Sequence, residues 1–374
     1  MFLLNMLPIG ILPGGSRVVA VNWRALQVLG LWDGKEASRQ AVLDTFMKTA
    51  AIETSATPTG STRLAARYPE GYLNFEKASD GKFRASPDYP SIFYKGDGRA
   101  LWIGQHAATQ ADGSRLMLDI VAKGIGRTPL AQQGPHHSDG IMTVHEAIKA
   151  MALSSANGAN GIESTVDLAV LEVPRVNAEG HTVMAGISVR AGVQTRLAHL
   201  IYHAPNPENF RKMAEYLIRR QYQTPNNQFL TSADALRFVR DFSAMTGRNA
   251  ARFEDKRFYH GSLTNDNVSS HGGALDYGTS AYLQGYHRSL RYLNFGKGIP
   301  GGAKLEHQTE LMEGYVEKLV EMFAKVFPEA GFQDHGARHS EMIGIFRSEF
   351  SLESSNLWLR RLGLNAEQIT KLTP

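Results

Sequence analysis

Hydrophobic positions divide this chain near residue 205. Ahead of that point they fall in short runs and alternations parted by turn-forming residues, the pattern of strands. Ile92-Phe93-Tyr94, Ala100-Leu101-Trp102-Ile103 and Leu116-Met117-Leu118-Asp119-Ile120-Val121 are such runs, separated by Gly96-Asp97-Gly98 and Asp112-Gly113-Ser114. Two more follow at Val166 to Val173 and Val183 to Arg190. A first helix is predicted over Lys35 to Ala50, with Val42, Phe46 and Met47 at helical spacing, and another over Val144 to Ala156. Glu53 to Pro90, rich in Thr, Ser, Gly, Pro and charge, reads as irregular surface with short strands. Beyond Pro205 helices dominate: Pro207 to Gln221, Ala233 to Phe253, Glu306 to Phe327, Gly336 to Phe350 and Asn365 to Leu372. Leu311, Tyr315, Leu319, Met322 and Val326 form an amphipathic stripe whose ordinary use is core packing. The expectation is an α+β fold with a β-rich part over residues 1–204 and a mostly helical part over 205–374, hinged near Leu200 to Pro207.

Composition narrows the class only a little. A chain of 374 residues can support two lobes, each with its own core. Hydrophobic content of 43% and charged content of 20% describe an ordinary soluble protein. A formal charge of +4 suits an anionic ligand such as a nucleotide, yet it is too dilute to argue for nucleic acid. Arg219-Arg220 and Arg360-Arg361 read as solvated helix surface. The absence of cysteine excludes disulfides, thiolate chemistry and Cys-ligated zinc. The apolar start, Met1 to Ile9, is too short to span a bilayer and lacks the basic flank and cleavage site of a signal peptide. It reads as a segment packed on the body of a cytoplasmic protein with no membrane partner.

The chemistry concentrates in His260-Gly261-Ser262-Leu263-Thr264-Asn265-Asp266-Asn267, followed by Asp276-Tyr277-Gly278. An acid and an amide stand side by side on one loop, and a second acid stands ten positions after the first. Asp266 has two readings: it accepts a proton from an acceptor hydroxyl, or it closes a turn, since Thr-Asn-Asp-Asn is turn-prone. Asn267 and Asp276 offer a neutral and a charged oxygen, which is what Mg²⁺ takes beside phosphates; Asn267 could equally be a turn residue. Lys123 ends a predicted strand before Gly124 and Gly126, where backbone can approach a phosphate closely. His136 and His137 invite a metal reading, but no third ligand with suitable spacing accompanies them. His260 reads as a hydrogen-bonding support of the loop, and His271 sits in a turn.

In their order along the chain, these pieces resemble the selenoprotein O family, kinase-like proteins that transfer AMP rather than phosphate. Gly96-Asp97-Gly98-Arg99-Ala100 resembles its glycine-rich nucleotide segment, and Lys123-Gly124-Ile125-Gly126-Arg127-Thr128-Pro129 its phosphate-binding motif. Asp139-Gly140 resembles a nucleotide-contacting pair, although Pro135-His136-His137-Ser138 stand before it beyond the usual spacing. Arg190 and Arg196 resemble two arginines that grip an ATP bound in reverse, and here they stand six apart, one fewer than the family's spacing. The motifs run from about Gly96 to Gly278.

The resemblance implies a protein-kinase-like two-lobe fold, with a nucleotide-binding N-lobe and a helical C-lobe that carries the catalytic and metal loops. It implies ATP and Mg²⁺, with Mn²⁺ as a substitute, and Asp266 as catalytic base. Gly96, Gly98, Arg99, Lys123, Asp139, Gly140, Arg190, Arg196 and Asp276 would meet the nucleotide, and Asn267 and Asp276 the metal. The acceptors in that family are Ser, Thr and Tyr side chains of proteins. This chain departs in two ways. The redox-active Cys or selenocysteine often found near the family's C-terminus is absent, and Ala150 stands where a helix glutamate pairs with the lysine, leaving Glu146 as the nearest substitute. Thr143-Val144-His145-Glu146 also reads as a capping box, which competes for that glutamate. Other outcomes therefore stay open: a small-molecule or peptide acceptor, phosphoryl transfer, or an ATP-binding scaffold without transfer.

Overall fold

The computed structural model describes residues 6–11, 14–53, 62–66, 75–77, 83–85, 100–109, 115–126, 140–177, 179–224, 230–283, 305–330, 332 and 334–372. The strand expected at Ile92 to Tyr94, the turn at Asp112 to Ser114, and four expected nucleotide contacts, Gly96, Gly98, Arg99 and Asp139, lie outside the described residues. The fold is mixed α and β. Contacts divide the chain into two compact units, one of Met1–Ser155 with Thr165–Gly192 and one of Ala156–Ser164 with Val193–Pro374.

In chain order the strands are β1 (Met6–Ile11), β2 (Arg17–Val21), β3 (Ile52–Glu53), β4 (Thr62–Ala66), β5 (Phe75–Lys77), β6 (Phe83–Ala85), β7 (Ala100–Thr109), β8 (Arg115–Lys123), β9 (Val166–Val176), β10 (Thr182–Gly192), β11 (Phe258–Tyr259) and β12 (Ala281–Tyr282). The helices are α1 (Trp23–Val28), α2 (Arg39–Ala50), α3 (Val144–Ala159), α4 (Leu197–His203), α5 (Pro207–Tyr222), α6 (Ser232–Lys256), α7 (Leu305–Val326), α8 (His335–Arg361) and α9 (Ala366–Leu372).

The first unit is built on a five-stranded antiparallel sheet in the order β2-β9-β10-β8-β7. Its central strands β9 and β10 are largely buried, with helices over the sheet. Ala147 and Met151 of α3 pack with Met142 and Val170 on one face. Gly186 of β10 permits that approach. A side chain there would run into the Thr143 carbonyl, and the Gly186 N–H donates to the Met142 carbonyl at 2.7 Å. Toward the opposite face, Ile120, Leu168 and Val189 line a cavity of about 400 Å³ together with Leu26, Val42 and Phe46 from α1 and α2.

The second unit is helical, with α6 as its axis. Its buried stripe includes Phe238, Phe242 and Phe253. Arg240, Arg248 and Arg252 of α6 bind Glu341, Glu349 and Glu353 of α8, a ladder of ion pairs along the two helices. Gly247 lets α8 come close, since a Cβ there would strike the Phe346 backbone. The predicted stripe on α7 buries its lower half, Leu319, Met322 and Val326; Leu311, at 39% exposure, does not join the core. Among the described residues, no helix is long and apolar enough to cross a membrane.

Candidate active site

Two groups of predicted residues come together, one in each unit. In the first, Lys123 ends β8 directly opposite Ser188 of β10, and Arg190 lies two residues further along the same strand. Side chains alternate along a strand, so Lys123, Ser188 and Arg190 share one face, and diagonal neighbours of this kind stand about 7–8 Å apart. Both cations are buried, at 4% and 5% exposure. Arg190 donates from Nε to Asp167 Oδ1 at 3.0 Å and to Ser188 Oγ at 3.1 Å, while the Ser188 hydroxyl donates to the same carboxylate oxygen. Asp167 is itself fully buried, and its Oδ2 has no hydrogen-bond partner.

After Lys123 the chain turns through Gly124, whose φ of +96° and contact with the Gly186 carbonyl leave no room for a side chain. Gly126 then donates to the carbonyl of Gly140 at 3.2 Å, which places that predicted residue beside the lysine turn. Ala150 is buried on α3, and the Glu146 N–H is capped by Thr143 Oγ1 at 3.0 Å. That is half of the capping box expected here.

In the second unit, residues 260–280 fold back on themselves, so that the turn carrying Asp266 and Asn267 adjoins the residue before Asp276. Gly261, with φ of +77°, sits where a Cβ would strike the Thr279 carbonyl. A 3₁₀ turn spans Asn265–Asn267. The Leu275 N–H donates to the Asn267 carbonyl at 2.9 Å, tying the first loop to the residue before Asp276. Asn267 Nδ2 donates to the Ser262 carbonyl at 2.8 Å, which leaves its amide oxygen as the end able to bind a cation.

Beneath the loop, His260 Nε2 donates to the Leu275 carbonyl at 2.7 Å; burial lowers its basicity and keeps the ring neutral. The support role expected of this histidine is what the structure shows. Tyr277 is fully buried, and its hydroxyl donates to the Ala274 carbonyl at 2.9 Å. Burial also raises the Asp266 carboxyl above the ordinary aspartate value. Asp276 has φ of +58°, in the left-handed region, a conformation that costs a non-glycine residue about 1–2 kcal/mol. Such strain is retained where a side chain must be aimed.

Arg190 belongs to the sheet of the first unit, whereas Arg196 belongs to the second, where it pairs with Ser269 in an isolated bridge two residues past Asn267. The adjoining Leu197 N–H donates to the Val268 carbonyl at 2.9 Å. Asn267 and Asp276 supply two hard oxygens, and among the described residues no group of three or more His, Asp or Glu gathers to hold a metal. That donor set fits Mg²⁺, which commonly takes one or two protein oxygens and completes its shell with phosphate and water. Lys123 and Arg190 fit a triphosphate on the same grounds of charge.

The family described as protein adenylyltransferase SelO matches residues 93–373, most of the chain. The chain belongs to the SelO family. The likeness that the motifs trace to Gly278 therefore runs on through α7, α8 and α9. A SelO relative from Nitrobacter winogradskyi, named protein nucleotidyltransferase YdiU, is 32% identical over 197 residues, which cover 51% of this chain and 36% of that protein. Proteins of the same name from Pseudarthrobacter chlorophenolicus and Rhodococcus jostii are 27% and 28% identical, over 72% and 74% of this chain and 53% and 52% of their own lengths. The chain spans about half the length, or less, of these relatives.

Sequence reasoning missed Asp167, Ser188, Tyr315 and α4. Only Tyr315 carried any local signal, as a polar-tipped member of the α7 stripe; its hydroxyl donates to the Leu263 carbonyl at 2.7 Å. On α4, His199 Nδ1 accepts from the Arg196 N–H at 3.2 Å, and burial lowers its basicity. Burial lowers His203 to about 4 from an ordinary 6.5. The unfolded chain thus takes up a proton near pH 6.5 that the folded state refuses until about pH 4. The contribution is complete above pH 6.5 and disappears as pH falls through that window. Urea titrations are expected to show stability falling there by up to about 1.4 kcal/mol per pH unit for this one proton, and a flatter slope in His203→Gln. A slope unchanged by that substitution would contradict the assignment.

Proposed function

We propose that this SelO-family chain is a magnesium-dependent nucleotidyltransferase of kinase-like two-lobe layout, which moves AMP from ATP to a hydroxyl group. Lys123 and Arg190 bind phosphate oxygens in the first unit, and Gly140 lets backbone approach the nucleotide. Asn267 and Asp276 hold the cation, which neutralises charge on the phosphates, and Arg196 supplies a further guanidinium. Asp266 takes the proton from the acceptor hydroxyl. The acceptor oxygen bonds to the α-phosphorus, the bond from that phosphorus to the α,β-bridging oxygen breaks, and pyrophosphate leaves. The acceptor class favoured by the family name is a protein side chain. The observation that carries the reading is the folded-back hairpin, in which the Leu275-to-Asn267 hydrogen bond sets an amide oxygen and a strained aspartate on adjoining loops beside a carboxyl of raised pKa.

Ala150 favours one competing reading, an ATP-binding module without transfer, because an alanine cannot pair with Lys123. Isotopic labelling separates the two. With ATP labelled at the α-phosphate, the transferase reading expects label retained on an acceptor and an added mass of ~329 Da. Label retained only from the γ-phosphate, with ~80 Da added, would mean phosphoryl transfer. Nucleotide binding with neither label transferred would establish the scaffold.

A further inference from the structure

The upper half of α7 leaves an opening that the core does not use. A pocket of about 530 Å³ lies between α7, Ile201 of α4 and Asn265, the residue next to Asp266. Its volume is within the range of about 300–1,000 Å³ typical of sites that enclose a bound group. The apolar lining comes from Ile201, Leu311 and the Tyr315 ring. Tyr315 also links the pocket to the catalytic loop, since its hydroxyl holds the Leu263 carbonyl.

Gly314 lines the same pocket in the interior of α7. Glycine is the poorest helix former after proline, so its presence there calls for a reason. Packing does not provide one. A Cβ built at Gly314 meets nothing within 4 Å, in contrast to Gly247 on α6, where it would strike the Phe346 backbone. What a side chain at Gly314 would occupy is the pocket itself.

The rim decides what kind of group fits. Glu310 lies 3.1 Å from His307, and Lys318 is paired with Glu321 at 3.1 Å, so the rim carries both signs and its one lysine is balanced within α7. A phosphate-rich or strongly acidic ligand finds no excess of positive charge. An apolar side chain finds a matching wall, and the Asn265 amide can bond the backbone of the segment that carries it.

We propose that this pocket is the acceptor subsite: it seats an apolar side chain next to the hydroxyl residue of a polypeptide, and Gly314 keeps its floor open. The inference rests on the transferase reading and names the acceptor class for the same loops.

The test uses the full chain, magnesium, α-labelled ATP and two sets of synthetic peptides. Each peptide has a single Ser, Thr or Tyr, flanked in one set by Leu and Ile and in the other by Glu and Lys. Wild type is expected to label the apolar-flanked set preferentially. Gly314→Leu should lower kcat/KM for that set by about tenfold or more, chiefly through KM. Its melting temperature should be no lower than wild type, because leucine is the better helix former. At the exposed Leu311, Leu311→Lys should erase the preference between the sets, a ratio that a general folding defect does not move. Wild-type labelling without preference overturns the subsite, as does an unchanged preference in Leu311→Lys or an unchanged KM in well-folded Gly314→Leu. A wild type that transfers α-label to no peptide and no protein overturns the transferase reading itself.

Discussion

Replacing Asp276 with alanine is expected to cut AMP transfer by about 10³-fold or more, some 4 kcal/mol of transition-state stabilisation. On the proposed reading, Asp276 is the only charged protein ligand of the cation, and its partner Asn267 contributes a neutral oxygen held by the bond from Nδ2 to Ser262. Without the carboxylate, the cation loses the charged ligand that holds it against the phosphates. The fold is expected to lose far less. Asp276 occupies the left-handed region, which aspartate tolerates better than alanine, so the substitution costs about 1 kcal/mol of stability. Asp276→Asn separates the two contributions, because asparagine adopts the same backbone conformation but lacks the charge. Both variants should fall in α-label transfer, with Asp276→Asn melting close to wild type. Transfer retained within tenfold in a folded Asp276→Asn would remove this residue from the metal site.

Much of the architecture could be read locally, because the long elements carry their own period. Predicted helices at 207–221, 233–253 and 306–327 stand at Pro207–Tyr222, Ser232–Lys256 and Leu305–Val326, and the runs at 116–121 and 183–190 are the cores of β8 and β10. The failures share a cause. α8 was expected to end at Phe350 but continues to Arg361, through Ser351, Glu353, Ser354 and Ser355, where no apolar stripe marks a helix. Partners a hundred residues away sustain it, among them Arg252 on Glu353, and no local pattern encodes them. α1 and α4, with six and seven residues, are too short to show a period.

The site divides the same way. Asp266, Asn267 and Asp276 were legible because a turn, an amide and two acids lie within one short stretch. Gly314 looked like any residue between two stripe positions, and only the open space around it gives it a role. Asp167 was hidden inside an apolar strand, with its partner twenty-three positions away on β10.

Asp167→Ala is accordingly expected to destabilise the first unit by about 3 kcal/mol or more, the scale for breaking one side of a buried ion pair. Against a total stability of about 5–15 kcal/mol, a loss of that size threatens folding at physiological temperature. The carboxylate is wholly inaccessible and the Arg190 side chain is 6% exposed, so the guanidinium would lose its neutralising charge where water cannot replace it. Ser188 would lose its acceptor in the same step. Removing both charges is a different experiment. Asp167→Leu with Arg190→Met removes both members of the pair at once, and apolar replacements for a buried pair are often neutral in stability. Urea denaturation of wild type, each single variant and the double should therefore show strong non-additivity, with the double more stable than Asp167→Ala. Transfer activity should separate from stability: the double variant regains the fold but lacks the Arg190 cation proposed to meet the nucleotide. If the losses from the single variants simply add, Asp167 is not the residue that holds Arg190 in place.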